Sequence, residues 1–147
     1  MCGIIAFTGS LDVIPILLEG LRRLEYRGYD SAGIATVDDA GIHVRKRSGR
    51  IAELARALDD EPLAGVCGIS HTRWATHGPA TERNAHPHLD EAADFAVVHN
   101  GVIENHLQLR QQLEDDGVVF RSDTDTEVLA HLVARLWSGN LVEAVTR

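Results

Sequence analysis

The chain reads as an α+β layered domain rather than a doubly wound parallel sheet. Three observations predict this. Short apolar, strand-like runs alternate with amphipathic helical stretches. Two of those runs flank the acidic, glycine-ended turn Asp38-Asp39-Ala40-Gly41, the pattern of a hairpin. Long crossovers of the βαβ type are not the rule. With 147 residues, one domain can bury roughly 68–70% of its unfolded surface.

Gly3–Phe7 is an apolar run ending at the turn signal Gly9-Ser10, which predicts a buried strand. Asp12 can cap a following helix, in which Ile14, Leu17, Leu18, Leu21 and Leu24 repeat at helical spacing. Pro15 is tolerated in its first turn, and the helix should stop near Gly28. Ala32–Val37 and Ile42–Arg47 form the hairpin. Ile51–Leu58 predicts a short amphipathic helix and Val66–His71 a strand. Arg73–Leu89 is a long polar stretch with Gly78, Pro79 and Pro87, and a loop of that length in a small domain is usually functional.

Phe95–His99 is apolar and β-rich, closed by Asn100-Gly101. Asn105–Asp116 predicts a helix with Leu109 and Leu113 on one face, followed by a brief strand at Val118–Phe120. Thr124–Trp137 predicts another helix, with Val128, Leu129, Leu132, Val133 and Leu136 on one side. Its Thr124 and Glu127 fit the capping-box spacing. A last helix begins at Leu141 and runs to Arg147.

Composition narrows the function classes. Hydrophobic content of 44% and charged content of 24% are ordinary for a globular protein. A net charge of -8 argues against nucleic acid or an anionic membrane as partner. Arg45-Lys46-Arg47 and Arg50 read as a short solvated run beside a strand. Two cysteines cannot build a disulfide framework, and Cys67 reads as a small hydrophobe in a buried strand. No run reaches the roughly eighteen apolar residues that suggest a membrane span, and no signal-peptide pattern opens the chain. A cytoplasmic location is expected, where a free thiol survives.

Cys2 follows the initiator Met1 directly. Once Met1 is removed, one residue carries both a thiol and an α-amine, whose pKa of about 7.7–8.0 leaves a usable neutral fraction. The amine can then take the thiol proton, directly or through one water. A thiolate attacking an amide needs two donors for the oxyanion. Asn100-Gly101 can supply a side-chain amide and a backbone N–H, although Asn-Gly is equally the strongest hairpin-turn signal. An α-amino-acid substrate needs a cation for its carboxylate and an anion for its ammonium. Arg73 offers the planar fork and Asp125 the acid, although Asp125 also suits a helix start.

The eight histidines include His86-Pro87-His88, but no H-E-x-x-H or C-x-x-C spacing accompanies them, so no metal is expected. Ser31 lacks the G-x-S-x-G context of a hydrolase serine. No Walker A or G-x-G-x-x-G loop is present.

Together the polar segments are far more specific than any one alone. Cys2-Gly3-Ile4-Ile5 resembles the start of the N-terminal-nucleophile (class II) glutamine amidotransferases. Leu24–Gly33 and His71-Thr72-Arg73-Trp74-Ala75-Thr76-His77-Gly78 narrow the resemblance to the isomerising glutamine–fructose-6-phosphate aminotransferases, the glucosamine-6-phosphate synthases. Val98–Asn105 and Ser122–Val128 fit the same family. Purine-pathway phosphoribosyl and asparagine-forming amidotransferases resemble the chain less, because of Tyr26–Asp30 and Arg73–His77.

The resemblance implies a four-layer αββα sandwich. It makes Cys2 the nucleophile and its α-amine the base, with Asn100 and Gly101 as the oxyanion hole. Arg73, Thr76 and His77 would hold the glutamine carboxylate. Asp125 and the Gly101 carbonyl would hold the ammonium. Trp74 would gate ammonia, within a loop Arg73–Thr81 that closes over L-glutamine. No metal or organic cofactor is implied. Family chains run on past the equivalent of Arg147, so residues 1–147 are expected to be a partial glutaminase domain without the sugar-isomerase domains. Fructose 6-phosphate and homo-oligomerisation would belong to the full-length enzyme. A fragment that binds glutamine or a partner without turnover is the alternative expectation.

Overall fold

The computed structural model describes residues 2–74 and 79–147. Two antiparallel sheets lie between layers of helix. The first contains β1 (Gly3–Thr8), β2 (Ser31–Asp38), β3 (Gly41–Ser48) and β4 (Cys67–Arg73) in the order β1-β4-β2-β3. The second pairs β5 (His88–Leu89) with β6 (Ala96–Val97). Helices α1 (Val13–Leu24) and α2 (Ile51–Asp60) cover the outer face of the first sheet. Among α3 (His106–Asp115), α4 (Glu127–Leu136) and α5 (Leu141–Thr146), α4 packs on the second sheet. The expected αββα order is therefore present, with a second sheet that is short among the described residues.

The helix stripe of α1 explains the main core. Val13, Leu17 and Leu21 are fully buried against Ala32 and Ile34 of β2 and Ile51, Leu54 and Leu58 of α2. Asp12 caps α1 as expected, its carboxylate accepting from the Ile14 N–H at 3.1 Å. The hairpin turns where the acidic tetrad stands, with Asp38 paired to Gly41. Gly41 supplies the required positive φ of 122°.

Strand alternation sends β4 in two directions. Gly68 and Thr72 face α1, next to Leu17 and Leu24 respectively. His71 faces the second sheet, where its ring stacks on His86. Register places His71 beside Ile4 of β1 on one side and Gly33 of β2 on the other. Gly33 permits that inter-sheet contact: a Cβ there would lie 2.1 Å from the His86 carbonyl oxygen.

Several expectations are corrected. Val118–Phe120 is not a strand. Gly117 (φ 95°) ends α3, and the Val118 N–H caps the Leu113 carbonyl at 3.0 Å, while the Gly117 N–H takes that of Glu114 at 2.9 Å. Helix α4 starts at Glu127, not Thr124, and no capping box forms. Thr124 Oγ1 bonds His88 Nε2 at 2.9 Å instead. The Glu127 carboxylate accepts the Arg121 and Ser122 N–H groups, each at 2.6 Å. On α4 only Val128 of the expected stripe is fully buried, whereas Glu127 and His131 are buried too.

Cys67 is half-buried and lines an apolar groove with Phe95 and Trp137. The basic run on β3 is not simply solvated. Arg45 pairs with Glu61 at 2.6 Å, Arg47 with Glu82 at 3.3 Å, and Lys46 Nζ donates to the Pro87 carbonyl at 3.4 Å. Pro79–Ala85 of the long polar stretch is folded into successive turns. No helix among the described residues is long and apolar enough to cross a membrane.

Candidate active site

The end of β4, the start of β1, the Asn100 loop and the segment before α4 meet around a cleft of about 250 Å³. Cys2, Arg73, Trp74, Asn100, Gly101 and Asp125 all line it. Thr76 and His77 lie outside the described residues. A larger cavity of about 420 Å³ beside β3 holds none of the site residues named from sequence.

Cys2 precedes β1 and is half-buried. The Trp74 backbone N–H donates to its Sγ at 3.2 Å. That N–H stands just beyond β4, where the antiparallel register brings the two strand ends together. Trp74 itself is about half exposed, and its ring meets Tyr29 edge-on at 5.6 Å. Gly28 is needed below this pair, since a Cβ there would come within 2.8 Å of the Arg73 carbonyl carbon.

Arg73 is buried at the end of β4, and Nη1 donates to the Pro79 carbonyl at 3.3 Å. Burial lowers its pKa, against the charges of Cys2, Asp30 and Asp125, which favour the cation. A guanidinium remains charged under such a shift. Asp125 is also buried, and its Oδ2 accepts the Ile103 N–H at 2.8 Å. The cleft thus holds a fixed cation and a fixed carboxylate, as an amino-acid zwitterion requires.

Asn100 and Gly101 do not form a hairpin, because no strand follows them. The chain leaves β6 and passes over the cleft instead. Asn100 Oδ1 lies 2.8 Å from His71 Nε2. Gly101 runs against the His99 ring: a Cβ would sit 2.7 Å from its Nε2.

Sequence reasoning missed the buried histidines His71, His86 and His88. His71 and His86 stack at 4.2 Å, and His86 meets His88 edge-on at 4.6 Å. Their ring nitrogens bond protein groups: Asn100 for His71, the His99 N–H at 3.4 Å for His86, and Thr124 for His88. Burial lowers all three pKa values, to about 4 for His71 and about 3 for His88. Among the described residues no cluster of three or more His, Cys, Asp or Glu has the arrangement to hold a metal ion. The H-x-H spelling of His86 and His88 was a visible signal, but spacing alone weighs it only as a metal motif and cannot show this stack.

The glutamine amidotransferase domain family matches residues 59–145, and the chain belongs to that family. More particularly, curated relatives are glutamine–fructose-6-phosphate aminotransferases. That of Aquifex aeolicus is 54% identical over 147 residues, all of this chain and 25% of the relative. That of Shewanella oneidensis is 59% identical over 133 residues, 90% of this chain and 22% of the relative. The chain therefore spans about a quarter of the length of these relatives.

The fold is similar to the solved glutamine phosphoribosylpyrophosphate amidotransferase from B. subtilis, complexed with ADP and GMP. The TM-score is 0.81 at 31% identity, over 99% of this chain and 31% of that one. A structure described as the allosteric regulatory enzyme of purine biosynthesis matches at TM-score 0.83 and 32% identity, over 99% of this chain and 32% of that one. The fold is that of the class II, N-terminal-nucleophile amidotransferases. The sugar aminotransferases are the more similar in sequence.

Proposed function

We propose that residues 1–147 belong to the glutaminase domain of a glutamine–fructose-6-phosphate aminotransferase, and that Cys2 is its nucleophile. The carrying observation is that Cys2, Arg73, Asn100, Gly101 and Asp125 line one cleft. After removal of Met1, the Cys2 α-amine takes the thiol proton as the sulfur attacks the glutamine amide carbon. The Asn100 side chain and the Gly101 N–H stabilise the oxyanion. The protonated amine returns its proton to the leaving nitrogen, and ammonia departs. Water, deprotonated by the same amine, cleaves the thioester to glutamate and regenerates the thiol.

Arg73, Thr76 and His77 hold the glutamine carboxylate, and Asp125 with the Gly101 carbonyl holds the ammonium. Trp74, at the rim of the cleft, gates ammonia. In the full-length protein the ammonia converts fructose 6-phosphate to glucosamine 6-phosphate in sugar-isomerase domains, within a cytoplasmic homo-oligomer. The two free cysteines suit that compartment.

A glutamine-like electrophile tests the reading. Mass spectrometry of the Met1-processed chain should find one adduct, on Cys2, and Cys2→Ala should abolish it. A processed chain without an adduct would overturn the enzymatic reading in favour of a fragment that only binds glutamine or a partner. Formation of glucosamine 6-phosphate by the full-length protein tests the sugar-linked part.

A further inference from the structure

His71 is fully enclosed between β1, β2 and the His86 ring, which it stacks at 4.2 Å and 14° between planes. His86 is itself held through its Nδ1 by the His99 N–H. The His71 ring therefore cannot swing. Its Nε2 lies 2.8 Å from Asn100 Oδ1, while its Nδ1 has no hydrogen-bond partner among the described residues.

The position of the proton follows. Burial drives the His71 pKa to about 4, against the Asn100 bond and the His99 backbone, so the ring is neutral at pH 7. A neutral imidazole carries one proton. On Nδ1 it would be a buried donor without a hydrogen-bond partner among the described residues, which is costly. On Nε2 it is donated to Asn100 Oδ1. An amide whose oxygen is engaged on one edge presents its NH2 on the other.

Asn100 and Cys2 share the cleft. We propose that His71 is a positioning residue that fixes the Asn100 amide with Nδ2, not Oδ1, toward the reacting carbonyl. The inference rests on the glutaminase reading. With the opposite tautomer, Nδ2 would bond the ring, and Oδ1 would face and repel the developing oxyanion.

The test is glutamine hydrolysis by the full chain with Met1 removed. Removing an oxyanion donor costs roughly 10²–10³ in kcat, and releasing its orientation should cost part of that. His71→Leu, which fills the space without a donor, should lower kcat roughly 10–100-fold while KM stays within about threefold. His71→Gln, whose side-chain amide can place an N–H near Nε2, should recover kcat to within about fivefold of the parent. A kcat unchanged in His71→Leu, or a loss that His71→Gln does not relieve, overturns the proposal.

A second measurement needs no variant to fold. Nitrogen-15 spectra of the parent near pH 7 should show His71 neutral and protonated on Nε2; a proton on Nδ1, or an imidazolium, overturns the assignment. A processed parent that hydrolyses no glutamine overturns the glutaminase reading and this inference together. An active parent with an indifferent His71→Leu overturns this inference alone.

Discussion

The Trp74 N–H reaches Cys2 Sγ across 3.2 Å, tying the end of β4 to the start of β1 at the sulfur. The same strand end carries Arg73. Cys2 and Arg73, the proposed nucleophile and carboxylate clamp, are thus set by one antiparallel register rather than by two independent loops. Cys2→Ser keeps the shape and loses the soft nucleophile. Glutamate release should fall at least about 10³-fold, with the melting temperature little changed. A serine variant retaining a tenth of the activity would sink the nucleophile assignment. A protein that keeps Met1 should be equally silent, since the α-amine then lies one residue away.

Arg73→Lys removes the planar fork but keeps a positive charge. Charge-assisted hydrogen bonds of this kind contribute about 1.5–3 kcal/mol, so kcat/KM for glutamine should fall roughly 10–150-fold, mostly in KM. Steady-state kinetics decide this, and a loss confined to kcat would contradict a binding role.

Gly33→Ala would place a methyl group 2.1 Å from the His86 backbone oxygen, which has no side-chain freedom to move aside. Overpacking of this order costs roughly 1–3 kcal/mol or more. At this chain length each kcal/mol shifts the melting temperature by about 2–4 °C. Thermal unfolding should show a drop of at least about 3 °C, with glutamine turnover reduced as His86 and His71 are displaced. An unchanged melting temperature would refute the close approach.

Acid should destabilise the fold earlier than carboxylates alone would. His71 and His88 titrate near about 4 and about 3 when folded, because burial disfavours their charge, and His86 is lowered as well. Unfolded, each titrates near about 6.5. Below that value the unfolded chain binds protons the native rings refuse, so stability falls as pH drops from about 6.5 to about 4. Each ring contributes up to about 1.4 kcal/mol per pH unit. Above about 6.5 the rings add no slope. Glu127 adds a second loss at lower pH: burial raises its pKa, but the His131 ring nitrogen 3.6 Å away and hydrogen bonds from Ser122 and the Arg121 backbone hold it down to about 2. Denaturant unfolding at pH 7, 6, 5 and 4 should show the decline, which should be shallower in His88→Gln.

Much of this architecture is local and therefore legible. The Leu17–Leu21 stripe, the Asp12 cap and the Asp38–Gly41 turn each involve residues a few positions apart. The cleft residues named from sequence, apart from Thr76 and His77, do line one cavity. The misread segments are those where another hydrogen-bond partner competed with a local rule. Thr124 and Glu127 have the spacing of a capping box, but His88 claimed one and the Arg121–Ser122 amides the other. Val118 has a strand former's side chain, but its N–H was needed to close α3.

The sequence by itself determined the α+β layering and the set of polar residues proposed to hold glutamine, because periodicity, turn chemistry and motif spelling are properties of neighbours along the chain. Tertiary structure alone decided which of those residues share a cleft. It alone stacked His71 on His86 through the gap left by Gly33 and set the Asn100 oxygen against His71 Nε2. Those contacts join residues up to 53 positions apart. They depend on strand register and on the distance between two sheets, which no local pattern encodes.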